Sequence, residues 1–130
     1  MSDLSSTIVL VVASTDSGAR RTTAYLREKC TASVLSCGSD LDQAIRAMKE
    51  LPVRAVVASS GGGGRLLGLR LERLAAAARS ERVPVILYGV SERQKRALVG
   101  DGYESVWMLG EQPTDRFWAV LDACLETDRR

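Results

Sequence analysis

Two apolar patterns alternate along this chain. Residues 7–13 (TIVLVVA), 55–58 (AVVA) and 83–89 (VPVILYG) are short, almost unbroken apolar runs rich in β-branched residues, which is how strands buried on both faces of a sheet read. Residues 31–37 (TASVLSC) and 104–109 (ESVWML) are weaker versions, and the first is half polar, as suits a sheet edge. Between the runs, positions suited to burial recur at three- and four-residue spacing: Ala19, Thr23, Leu26 and Cys30, then Leu41, Ala44, Ile45 and Met48, then Leu67, Leu71, Leu74, Ala75 and Ala78, and last Phe117, Leu121, Cys124 and Leu125. That spacing puts each set on one face of a helix.

The punctuation agrees with this pattern. Residues 14–17 (STDS) offer several N-caps ahead of the first helix, Asp16 among them, and Asp40 followed by Gln43 resembles a capping box, as Ser91 with Gln94 does. Leu51-Pro52 stops the second helix, Pro84 stands at the start of its strand where a missing N–H is tolerated, and Gly100 and Gly102 end the helix that Ser91 opens. Pro113-Thr114 starts the last helix. Five strands alternating with five helices predict a doubly wound α/β sandwich around a parallel sheet in the order 2-1-3-4-5. The chain reads as a single domain over residues 1–130, its core spanning about 7–126.

Composition narrows what such a domain does. A formal net charge of +2, with the arginines spread over several segments, gives no case for nucleic-acid binding. The apolar runs are strand-length and the start, MSDLSS, has neither a basic nor an apolar leader region, so a cytoplasmic protein is expected. The chain has no histidine, which removes the commonest general base and the mixed Cys/His zinc site. Cys30, Cys37 and Cys124 lack metal-ligand spacing and read as buried thiols packing as small hydrophobes.

In a parallel sheet, ligands and chemistry gather at the carboxyl ends of the strands. Behind the central strand that place is occupied by Ser59, Ser60 and four glycines, with no carboxylate, histidine or lysine among them. A serine nucleophile there lacks its base. The glycine run lacks the lysine and Ser/Thr that complete a P-loop, so it reads as a flexible turn ahead of a phosphate cradle. No catalytic, cofactor-binding or metal-ligating residue is expected.

Four local patterns, TIVLVVAS, VRAVVASS, VPVILYG and GYESVWML, in this order and spacing, resemble the receiver domain of bacterial two-component response regulators, and Gly68-Leu69 falls near the glycine that opens that family's third helix. The resemblance runs from about Thr7 to Leu125 and implies a receiver-like, flavodoxin-like fold. It implies chemistry only by contrast. Receivers hold Mg²⁺ with two acids after the first strand, a task that suits hard carboxylate oxygens, and the matching positions are Ala13 and Ser14. The phosphoryl-accepting aspartate matches Ser59, the Thr or Ser of the fourth strand matches Gly89, the lysine of the fifth matches Leu109, and the aromatic switch matches Val106. Every position has lost its function, so the resemblance implies a pseudoreceiver, a phosphorylation-independent protein–protein interaction and signalling module, freestanding or leading a longer regulator.

In receivers the face made by the fourth helix, fifth strand and fifth helix commonly pairs or docks partners. Here that face would carry Arg93, Arg96, Tyr103, Trp107 and Trp118, and aromatics beside arginine are the composition of interface hot spots. Trp118 follows Phe117 directly, about 100° around the helix, so a buried Phe117 leaves Trp118 at the boundary or outside. A protein partner or a homodimer is therefore expected on this face, and the alternative to it is Trp107 or Trp118 completing the core. The alternative function is a small-ligand sensor, nucleotide or flavin, with a neutral pocket at the strand ends. STDSGARRT resembles a phosphate loop of flavodoxin-like binders, but SSGGGG offers no aromatic to stack on a flavin.

Overall fold

A computed structural model describes residues 7–13, 15–29, 32–38, 40–59, 73–88, 106–108 and 115–126. The strands are β1 (Ile8–Ala13), β2 (Ser33–Ser36), β3 (Val53–Ser59), β4 (Val85–Tyr88) and a three-residue β5 (Val106–Met108). All pair in parallel, β2, β1, β3 and β4 side by side in that order with β5 on the outer side of β4. Four helical segments accompany them: α1 (Asp16–Lys29), α2 (Leu41–Glu50), α3 (residues 73–80) and a C-terminal helix (Asp115–Glu126). The helix expected after Ser91, and the start of the third with Leu67 and Leu71, lie outside the described residues, among which four helices are seen. The architecture is a parallel α/β sheet wound on both faces, consistent with a flavodoxin-like fold.

The pleat explains the apolar runs. Leu10 and Val12 of β1, Val56 and Ala58 of β3, and Val85 and Leu87 of β4 pack with Leu41, Ala44, Ala47 and Met48 of α2 and with Leu74 and Ala78 of α3. Their neighbours Val9, Val11, Ala13, Ala55, Val57 and Ile86 point the other way, onto Ala19 and Leu26 of α1 and Phe117, Leu121 and Leu125 of the C-terminal helix. Both faces of the central strands are dry, which is why their sequence does not alternate. β2 alternates instead, Val34 buried between exposed Ser33 and Leu35, as an edge strand does. No helix among the described residues is long and apolar enough to cross a membrane.

Helix ends are fixed by specific hydrogen bonds. The Asp40 carboxylate accepts from the Gln43 N–H at 3.1 Å, as its sequence suggests. At α1 the cap is Thr15, whose hydroxyl oxygen accepts from the Gly18 N–H at 3.0 Å. The expectation that Asp16 caps this helix is thus corrected: Asp16 is the first helical residue. α3 ends in a Schellman turn in which the Val83 N–H bonds the Ala78 carbonyl at 2.8 Å and the Arg82 N–H bonds the Arg79 carbonyl at 3.2 Å. Arg82 occupies the left-handed position, φ 59°, where glycine is the usual residue. Arg82→Gly should therefore raise stability by roughly 0.5–1 kcal/mol, strain relief outweighing the added freedom of the unfolded chain. Urea titration of the two proteins checks this through a rise in midpoint at constant slope.

Candidate functional site

Ala13, Ser59 and Tyr88 are paired across β1, β3 and β4, so three strands end level and define the floor of the expected site. Ala13 is 2% exposed and packs on the α1 side of the sheet. Its N–H donates to the Gly38 carbonyl at 3.0 Å, and the Cys37 N–H donates to the Val11 carbonyl at 2.8 Å. The chain leaving β2 is thereby folded in against the end of β1. Two glycines permit this closeness. A Cβ on Gly18 would meet the Thr15 hydroxyl at 3.1 Å and the Ala13 methyl at 3.6 Å, and one on Gly38, which has φ +60°, would meet the Asp16 carboxylate at 2.6 Å.

Asp16 therefore stands against the Gly38 backbone at the start of α1, where the positive end of the helix favours an anion. Among the described residues no three His, Cys, Asp or Glu side chains gather as a metal site would require. A buried methyl at Ala13 offers a hard cation no oxygen ligand. Ser14, Gly89 and Leu109, the other positions of interest, lie outside the described residues, while Val106 begins β5 opposite Val85.

The thiols behave as packing groups. Cys37 is buried at the mouth of β2, and burial first, then the nearby Asp40 carboxylate, pushes its pKa up to about 11. Cys124 is half-buried against the α1-side core, and burial raises its pKa as well. Neither is a thiolate at neutral pH, so neither is a ready nucleophile. Cys30 lies outside the described residues.

Of the residues grouped as an interaction surface, only Trp118 has a side chain among the described ones. α1 lies over β2 and β1, and the C-terminal helix lies over β3. Trp118 is half-buried and turned to α1: its indole N–H donates to the Tyr25 hydroxyl at 3.1 Å, and the two rings meet with centroids 5.2 Å apart. Lys29 sets its ammonium 5.6 Å from the Tyr25 ring centre and 5.7 Å from that of Trp118. Trp118 therefore makes its described ring contacts with α1 and with Phe117 of its own helix. Trp107 pairs with Ile86 in β5, and Arg93, Arg96 and Tyr103 lie outside the described residues. Tyr25 went unnoticed in the sequence; its spacing of four from Lys29 was the available signal.

No family model matches the chain, and a search of curated proteins returns no match.

Two measurements check this account. Tyr25→Phe, which keeps the ring contact and removes the acceptor of the indole N–H, should cost about 0.5–1.5 kcal/mol. Trp118→Ala should cost about 2–3 kcal/mol, below the range for a fully buried aromatic, and loss of either effect in the Tyr25→Ala background would confirm the pairing. The second concerns pH. The folded Cys37 keeps a proton that the unfolded chain releases, so its contribution is fully present below pH 9.0 and is lost as pH rises towards about 11. Stability measured across that interval should fall less steeply in Cys37→Ala than in the parent chain.

Proposed function

We propose that this chain is a pseudoreceiver: a module with the fold of response-regulator receiver domains that has lost phosphorylation and serves a bacterial regulatory pathway in the cytoplasm as a protein-interaction domain, not as an enzyme. The observation that carries this reading is the level row Ala13, Ser59 and Tyr88 at the carboxyl ends of β1, β3 and β4, with a buried methyl where a metal-binding carboxylate belongs. Strand order 2-1-3-4-5 and the distribution of helices over both faces support the same reading at the level of fold. The face proposed for a partner or a second copy is the one that the resemblance assigns to the fourth helix, fifth strand and fifth helix, with Arg93, Arg96, Tyr103, Trp107 and Trp118.

Receiver chemistry needs Mg²⁺ and an acceptor carboxylate, so the decisive experiment supplies the phosphoryl donor directly. After incubation with acetyl phosphate and Mg²⁺, intact-protein mass spectrometry should show the unmodified mass. A stoichiometric gain of one phosphoryl group ends the reading. Thermal denaturation with nucleotides and FMN gives the other decisive outcome: a ligand that binds only the folded chain raises the melting temperature, and such a rise favours a small-ligand sensor.

A further inference from the structure

Along the sequence the basic residues are dispersed, but the topology gathers some of them. Helices that return between parallel strands end where the next strand begins. Thus α2 delivers Arg46 and Lys49 to the start of β3, and α3 with its terminal turn delivers Arg79 and Arg82 to the start of β4. These two strand starts are neighbours, since β3 and β4 pair and the Val56 N–H donates to the Pro84 carbonyl at 3.0 Å. Both helices cover the same face, Met48 and Ala78 sharing one core with Val53 and Val83. Arg54 enters the same region in an irregularity of β3, where Ile8 pairs with Val53 and Val9 with Ala55.

The result is a surface with exposed Arg46, Lys49, Arg79 and Arg82, half-buried Arg54, and the two acids Glu50 and Glu81. Arg46, Lys49 and Arg82 form no ion pair among the described residues. Favourable placement of cations at helix C-termini accounts for Lys49 and Arg79. It does not account for Arg82, which lies beyond the helix and holds a backbone conformation that glycine would adopt without strain.

We propose that this amino-terminal end of the sheet, on the α2 and α3 side, docks an acidic segment of a protein partner. Charge complementarity names the chemistry: spaced cations with two interposed carboxylates suit discrete acidic side chains better than the continuous phosphates of a nucleic acid, and the overall charge of +2 is small for a nucleic-acid binder. The proposal rests on reading the chain as an interaction module but not on its loss of phosphorylation, so a phosphoryl gain would leave it standing.

Fluorescein-labelled poly-glutamate, titrated with the full chain at low salt and read by anisotropy, tests it against a labelled DNA duplex of equal charge. Lys49→Gln with Arg82→Gly removes two charges from the surface, and Arg20→Gln with Arg21→Gln removes two exposed charges from the first half of α1, at the other end of the sheet. Poly-glutamate affinity should fall about fivefold or more in the first variant, the effect of two exposed ion pairs, and less than about twofold in the second. Circular dichroism melts confirm that each variant is folded. Equal losses in both variants, an unchanged affinity in the first, no binding by the parent chain, or tighter binding of the duplex overturns the proposal.

Discussion

The structure depends on two central strands whose middle residues are buried on both faces. In β1 and β3 the residues from Val9 to Ala13 and from Ala55 to Ala58 are all at most 2% exposed, so both layers of helices are obligatory. Parallel pairing adds a second demand, because each strand must be followed by a crossover that brings the chain back to the same end of the sheet. Together these conditions leave the strand ends and the outer helix faces as the places where a function is carried. They also explain why small residues crowd the carboxyl end: Gly18 lets the first turn of α1 settle on Ala13, and Gly38 lets the β2 exit reach the end of β1.

Much of this was legible in the sequence because dry strands and amphipathic helices have periods that differ. In the sets Leu41, Ala44, Ile45, Met48 and Phe117, Leu121, Cys124, Leu125, all are buried except Ile45 and Cys124, which are half-buried, and Asp40 caps as its position before Leu41 suggests. What escaped is of another kind. Residues 14–17 contain four possible caps, and only the turn geometry selects Thr15 over Asp16. The position after Phe117 puts Trp118 at the boundary or outside, and it is half-buried, but its direction depends on which helix lies beside it. That neighbour, carrying Tyr25 and Lys29, is remote in sequence and is set by the handedness of the winding.

Arg82 illustrates the limit of local reading most directly. Nothing in SERVP announces a left-handed residue, since arginine is a poor choice for that conformation. The Schellman turn is imposed from outside, by Ala78 and Val83 entering one core on either side of the bend. Tertiary packing overrides backbone preference here, and it does so at the end of the sheet where the cations collect.

The carboxyl end shows the opposite economy. Ala13 lies under α1, its methyl within van der Waals reach of any side chain that might replace the hydrogen of Gly18. A carboxylate at this position would be taken from water into the α1-side core, where without a partner cation the charged form would be strongly disfavoured. Its pKa would rise, and the group that a hard cation requires would be neutral. A single acid introduced at Ala13 therefore makes no metal site by itself. The residues of a metal site stabilise one another only as a set, so at a position held by apolar packing a single acid is opposed by that packing.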